Sequence, residues 1–226
     1  MNLTEHYKQL YTSSAEAILN ENYRLDPKIN DPSDSRFGIT LLLRPSEKIK
    51  EKILLFLKQL KAVEPSQYYY PDSDIHITVM SIISCYEGFS LDKIAIENYI
   101  EIIQKSLFNL DKVKIDFRGV TASNSAIMIQ GFPSDETLNN LRNNLRENFK
   151  NSTLEQSIDS RYSISTAHST VMRFREKLQN PQKLIEVVEQ FRDYNFGEFN
   201  AEKLELVFND WYQREKNTIL LNDFEL

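Results

Sequence analysis

At 226 residues and a formal net charge of −6, the chain can bury a sizeable core but is too acidic for a protein that coats long nucleic acid through a basic stripe. Hydrophobic residues make up 41% and charged residues 27%, an ordinary globular mixture, and no apolar run reaches the ~20 residues of a membrane helix. The lone Cys85 excludes an internal disulfide, and the polar opening MNLTEHYKQLYTSSAEAI does not read as a signal peptide, so a cytoplasmic protein is expected.

Leu3, Tyr7, Leu10, Tyr11 and Ile18 fall at helical spacing and predict a helix over 3–20, with His6 on it as a surface histidine. The polar stretch NENYRLDPKINDPSDSR reads as a loop, which makes 1–35 an N-terminal helix and loop ahead of a main domain over 36–226. FGITLLLR, 37–44, is a buried strand that stops at Pro45-Ser46-Glu47. Ser46 then caps a helix whose apolar face is Ile49, Ile53, Leu57 and Leu60, with Glu47 in its first turn. A tyrosine-rich segment, EPSQYYYPDSD, leads to a strand with Ile75, Ile77, Val79 and Ile83 on one face and His76, Thr78 and Met80 on the other. A helix over about 90–108 follows.

The second half repeats the plan. A strand around Val113, Ile115 and Phe117 turns at Ala122-Ser123-Asn124 into Ala126-Ile127-Met128-Ile129 and ends at Pro133-Ser134-Asp135. Leu138, Leu141, Leu145 and Phe149 line the next helix, and a polar loop leads to a strand on which Tyr162, Ile164, Thr166, His168 and Thr170 share a face. Asn180-Pro181 opens another helix, and KLELVFND and NTILLNDFEL give two final strands. Ser46 to His76 is 30 positions and Ser134 to His168 is 34, so an internal duplication is expected. The fold class is α+β: two lobes, roughly 36–110 and 111–226 with possible strand exchange, antiparallel sheets, helices on the outer faces and a central cleft.

Two of the three histidines open the same phrase, His76-Ile77-Thr78-Val79-Met80 and His168-Ser169-Thr170-Val171-Met172. On a strand, residues i and i+2 share a face, so each phrase aims an imidazole and a hydroxyl the same way. Facing each other, two imidazoles supply a general base and a general acid near neutrality, and the hydroxyls donate to oxygens where charge builds. That set suits cleavage of a phosphodiester without a metal or other cofactor; no HExxH or cysteine cluster is present. The same pair also suits a protein that holds a nucleotide or RNA end without cutting it, or an isomerase of the sugar-mutarotase kind.

The duplicated motif, with the element order and the C-terminal pattern over about 36–226, resembles the two-histidine (2H) phosphoesterase superfamily, which includes RNA 2′,3′-cyclic phosphodiesterases and the so-called 2′-5′ RNA ligases. The resemblance implies His76 and His168 as the acid–base pair and Thr78 and Thr170 as phosphate-oxygen donors. Arg173 matches an arginine found shortly after the second motif and is a candidate phosphate contact, but its odd spacing from His168 turns it to the opposite face of a regular strand, so that role needs a bulge and a structural or surface role is otherwise expected. Tyr68, Tyr69, Tyr70, Tyr162, Trp211 and Tyr212 are candidate base-stacking or substrate contacts. The expected partner is a small nucleotide or short RNA end bound to a monomer, with no membrane involved.

Overall fold

The computed structural model describes residues 2–226. Nine strands form two antiparallel sheets. β1 (Arg36–Leu43), β3 (Ile77–Glu87), β8 (Lys203–Asp210) and β9 (Ile219–Glu225) make one, in the order β3-β1-β8-β9. β2 (Tyr68–Tyr69), β4 (Lys114–Ser123), β5 (Ala126–Pro133), β6 (Ser169–Arg173) and β7 (Asn195–Asn200) make the other, in the order β2-β6-β5-β4-β7. β8 and β9 complete the sheet of the first half, and β2 joins that of the second.

The duplication is visible as β1–α2–β3 and β5–α4–β6, where α2 spans Glu47–Val63 and α4 spans Thr137–Lys150. The helices are exchanged as well. α2 packs on β6 and β7 of the five-stranded sheet, while α4 packs against β3 of the other. One continuous hydrophobic core therefore runs through both halves, from Ile39 and Leu41 to Ile127, Ile129 and Val171. α5 (Pro181–Gln190) opens on its proline as expected, but Ser46 and Asn180 cap their helices without a side-chain hydrogen bond. The helix expected over 90–108 is shorter, a single 3-10 turn at Leu91–Lys93 followed by α3 (Ile96–Ser106).

The N-terminal helix α1 (Leu3–Leu19) is built into this body rather than appended to it. It lies on β4 and α5, burying Tyr7, Tyr11 and Ile18. The Tyr7 hydroxyl donates to the Gly131 carbonyl (3.2 Å), Thr121 Oγ1 donates to the Tyr7 carbonyl (3.2 Å), and the Arg192 guanidinium sits 3.7 Å from the Tyr11 ring centroid. His6 is half-buried beside the Tyr7 ring.

Both motif strands are bulged at the same place in their phrase. Leu41 and Leu42 pair with Met80 and Thr78, leaving Val79 extra; Ile127 and Met128 pair with Met172 and Thr170, leaving Val171 extra. A bulge moves every later side chain to the other face. Met80, expected beside His76 and Thr78, is thereby fully buried, as is Met172. The next cleft-facing positions become Ser81 on β3 and Arg173 on β6.

Candidate functional site

Between the sheets lies a cleft of about 250 Å³ into which both phrases project. His76, Thr78, His168 and Thr170 all line it. The two phrases also touch directly, because Ser169 Oγ donates to the His76 carbonyl at 2.8 Å. The sequence separation of 92 residues between the histidines, 168 less 76, is closed by that contact and by Arg142.

Arg142, fully buried on α4, holds the two motifs at a fixed spacing. Its Nε donates to the Val79 carbonyl (3.1 Å), and Nη2 donates to the carbonyls of Thr78 (3.1 Å) and Thr166 (2.8 Å). Val79 is the bulged residue of β3, and bulging frees carbonyls from the ladder that a planar fork can then take. Burial lowers the pKa of this guanidinium to about 10. Sequence reading missed Arg142, although a signal existed: it sits four residues after Leu138 and three before Leu145, in the middle of the apolar stripe of α4.

Each histidine precedes its strand rather than lying within it. The strand expected from Tyr162 to Thr170 is regular only from Ser169. Ahead of it, residues 160–168 run without a ladder partner because side chains take their polar groups. Arg146 Nη2 donates to Ser163 Oγ (3.1 Å) and the Ile164 carbonyl (3.0 Å), and its Nε pairs with Asp159 at 2.6 Å. Gly131 on β5 lets this segment come close, since a Cβ there would stand 2.0 Å from the Ala167 carbonyl oxygen.

The two rings are held differently. His76 Nδ1 lies 2.7 Å from the Asp74 carbonyl oxygen, which can only accept, so Nδ1 carries a proton and Nε2 is left for the cleft. His168 Nδ1 lies 2.7 Å from Thr166 Oγ1, a group that can donate or accept, so either tautomer is satisfied. Burial pushes the pKa of both rings down, to about 4. The Asp74 carbonyl opposes the shift at His76, whereas the proximity of His76 adds to it at His168.

Arg173 faces the cleft, contrary to the regular-strand expectation, through the bulge at Val171. Its Nε donates to the Tyr70 hydroxyl at 2.8 Å, so Tyr70 positions the guanidinium rather than stacking a base. Tyr212 lines the cleft with its ring buried and its hydroxyl tied to Asp26, which leaves no free face for stacking. Trp211 is flanked by Arg36 at 4.4 Å and Arg161 at 4.2 Å. Tyr162 lines the cleft and is 67% exposed, so its ring has open surface there. Tyr68 and Tyr69 lie outside the cleft, on a separate hollow, and the Tyr69 hydroxyl donates to the Glu64 carbonyl at 2.8 Å. β2 pairs with the far end of β6, Tyr68 opposite Arg173 and Tyr69 opposite Met172, and the Tyr68 ring packs behind the cleft-lining Tyr70 and Tyr212 at 5.1 and 6.3 Å.

Among the described residues no group of three or more His, Cys, Asp or Glu side chains could hold a metal ion, and no helix is long and apolar enough to cross a membrane.

No curated protein sequence matches the chain. Its fold is similar to that of TT0787 of Thermus thermophilus, at 14% identity and a TM-score of 0.59, covering 84% of this chain and 97% of that one. It is similar to E. coli LigT complexed with 3'-AMP, at 12% identity and a TM-score of 0.56 over 84% and 98%. A conserved protein of unknown function from Agrobacterium tumefaciens, ATU0111, matches at 11% identity and a TM-score of 0.56 over 92% and 98%. The profile of the AKAP7 2'5' RNA ligase-like domain matches residues 39–217, about four-fifths of the chain including both histidine phrases. The chain therefore belongs to the AKAP7 2'5' RNA ligase-like family, within the 2H phosphoesterase superfamily.

Proposed function

We propose that the chain is a metal-independent phosphodiesterase that opens 2′,3′-cyclic phosphate ends, or cleaves short 2′-5′-linked or cyclic nucleotides, with His76 and His168 as its general acid–base pair. The observation that carries this reading is the convergence of both His-x-Thr phrases on one cleft, tied together by the Ser169–His76 contact. The nucleotide-bound structures of the similarly folded LigT, with 3'-AMP, ATP and NADP+, support a small nucleotide as ligand.

In the reaction, one neutral imidazole takes a proton from water as its oxygen bonds to phosphorus. The other, as imidazolium, protonates the departing ester oxygen as the P–O bond breaks. The Thr78 and Thr170 hydroxyls donate to the non-bridging oxygens, where negative charge accumulates. Arg173 adds a cation on the same side of the cleft.

Burial leaves both rings neutral near pH 7, with pKa values of about 4. A bound phosphate anion favours the imidazolium and raises them. A bell-shaped rate profile follows, and kcat/KM, which reports free enzyme, peaks at a more acidic pH than kcat, which reports the complex.

The deciding experiment is a screen of 2′,3′-cyclic and 2′-5′ phosphodiesters in the presence of EDTA, comparing the native chain with His76→Ala and His168→Ala. Turnover in the native chain and its loss in both variants are expected. Full activity in either variant rules the assignment out.

A further inference from the structure

The ionised side chains at the cleft are few, and most are already matched. Asp159 is paired with Arg146. Arg36, behind Trp211, is held by Asp34 through two contacts of 2.7 Å, and Arg214 is held by Asp210. Arg161 lies over Trp211 and donates to the Cys85 carbonyl at 2.9 Å, with no ion pair to any described carboxylate. That leaves Arg173, which faces Thr170 and the histidines from β6, and whose Nη1 stands 3.9 Å from Asp26.

Asp26 comes from the strap that joins α1 to β1, ahead of the region matched by the family profile. It is anchored on both sides. Its backbone N–H donates to the Phe174 carbonyl at 2.8 Å, next to Arg173, and its carboxylate accepts from the Tyr212 hydroxyl at 2.7 Å. Tyr212 in turn accepts from Arg36 at 3.3 Å, so the strap carboxylate is fixed between β6 and the turn after β8. Its side chain is 18% exposed, and it stands behind Arg173 and Tyr212, which line the cleft. The cleft therefore holds about one unmatched positive charge, that of Arg161, with Arg173 half-compensated by Asp26.

Resting on the function proposed above, we infer that Asp26 is a specificity-determining residue that tunes the cleft for a phosphodiester bearing one negative charge and disfavours the doubly charged phosphomonoester that hydrolysis leaves. A diester carries a single charge at neutral pH. A terminal monoester carries close to two, because its second pKa is near 6. Arg173 meets the first charge; the second is repelled by the carboxylate behind it. A unit charge ~7 Å from Asp26 at an effective dielectric of ~40 is discriminated roughly tenfold in binding. The same repulsion hastens product release.

The test compares 2′,3′-cyclic AMP with 2′-AMP by calorimetry at pH 7.5, in a His168→Ala background that leaves the diester intact, with and without Asp26→Asn. His76→Ala serves as the alternative background should the first not fold. Asn keeps an acceptor for the Tyr212 hydroxyl and removes only the charge. The expected result is a roughly tenfold gain in 2′-AMP affinity relative to the cyclic diester. An Asp26→Glu variant, which restores the charge, is expected to return the ratio toward that of the parent. A purely structural role for Asp26 would weaken both ligands alike, and an unchanged ratio of affinities overturns the inference while leaving the phosphodiesterase reading intact. A native chain that binds neither nucleotide overturns that reading and the inference with it.

Discussion

The phrase at β3 and the phrase at β6 share four chemical features, namely the imidazole, the hydroxyl two places on, the bulged valine and the buried methionine. They differ in what surrounds them. β3 is an 11-residue edge strand, and its histidine is steadied by a main-chain carbonyl, that of Asp74. β6 has only five residues, lies between β2 and β5, and its histidine is steadied by a side chain, Thr166. The first ring has its tautomer imposed by the backbone; the second has it set by a rotatable hydroxyl. Two copies of one motif are thus unequal partners, and the inequality lies outside the motif itself.

The largest effect expected is at the rings. His76→Ala and His168→Ala should each lower kcat by roughly 10²–10⁴, the usual worth of a general acid or base. A tenfold disparity between them would show that one ring contributes far more than the other. Next are the hydroxyls: Thr78→Ala and Thr170→Ala should each cost roughly 10²-fold in kcat if both donate to the transition state. A loss confined to KM would instead mean ground-state binding alone.

Arg142→Lys removes the fork that serves both halves at once. Three carbonyls then compete for one ammonium, and the fold should lose about 2–4 kcal/mol, read from urea midpoints. Unchanged stability would break the view that this residue couples the motifs.

A smaller effect separates the two rings. Thr166→Val leaves His168 without its Nδ1 partner and should lower kcat several-fold while shifting one limb of the pH profile. A change of side chain at Asp74 leaves the carbonyl in place, so the His76 limb should stay where it was.

A last expected effect is on stability with pH. Each folded ring has a pKa of about 4, against about 6.5 when unfolded, so the unfolded chain binds protons that the folded chain refuses. The associated stability is present above pH ~6.5 and is lost as pH falls toward 4. His76→Asn and His168→Asn should each flatten that loss by a similar amount, measured as the difference in urea midpoint between about pH 7 and about pH 4.5. A native midpoint that does not fall in this window would contradict the burial of the rings.

The sequence alone carried the repeat, the order of elements and the four motif side chains, because two-residue alternation and helical spacing are local properties that buried faces impose on the chain. It also carried the exchange of strands as a possibility. It did not carry the bulge at Val79, which arises only when the strand meets its neighbour in register and which reversed the expectation for Met80, and it left open the bulge at Val171 that brings Arg173 to the cleft. Nor did it carry Arg142 or Asp26, whose partners Thr166 and Arg173 lie 24 and 147 residues away and whose residue types are common on any surface. Tyr69 and Tyr212 looked equivalent to Tyr162 as letters. Packing decided that one faces another hollow, one is walled in and one is open. Local chemistry determines which side chains are available; which of them converge is decided by long-range packing, because convergence is a property of the pairing between segments and is written in neither segment alone.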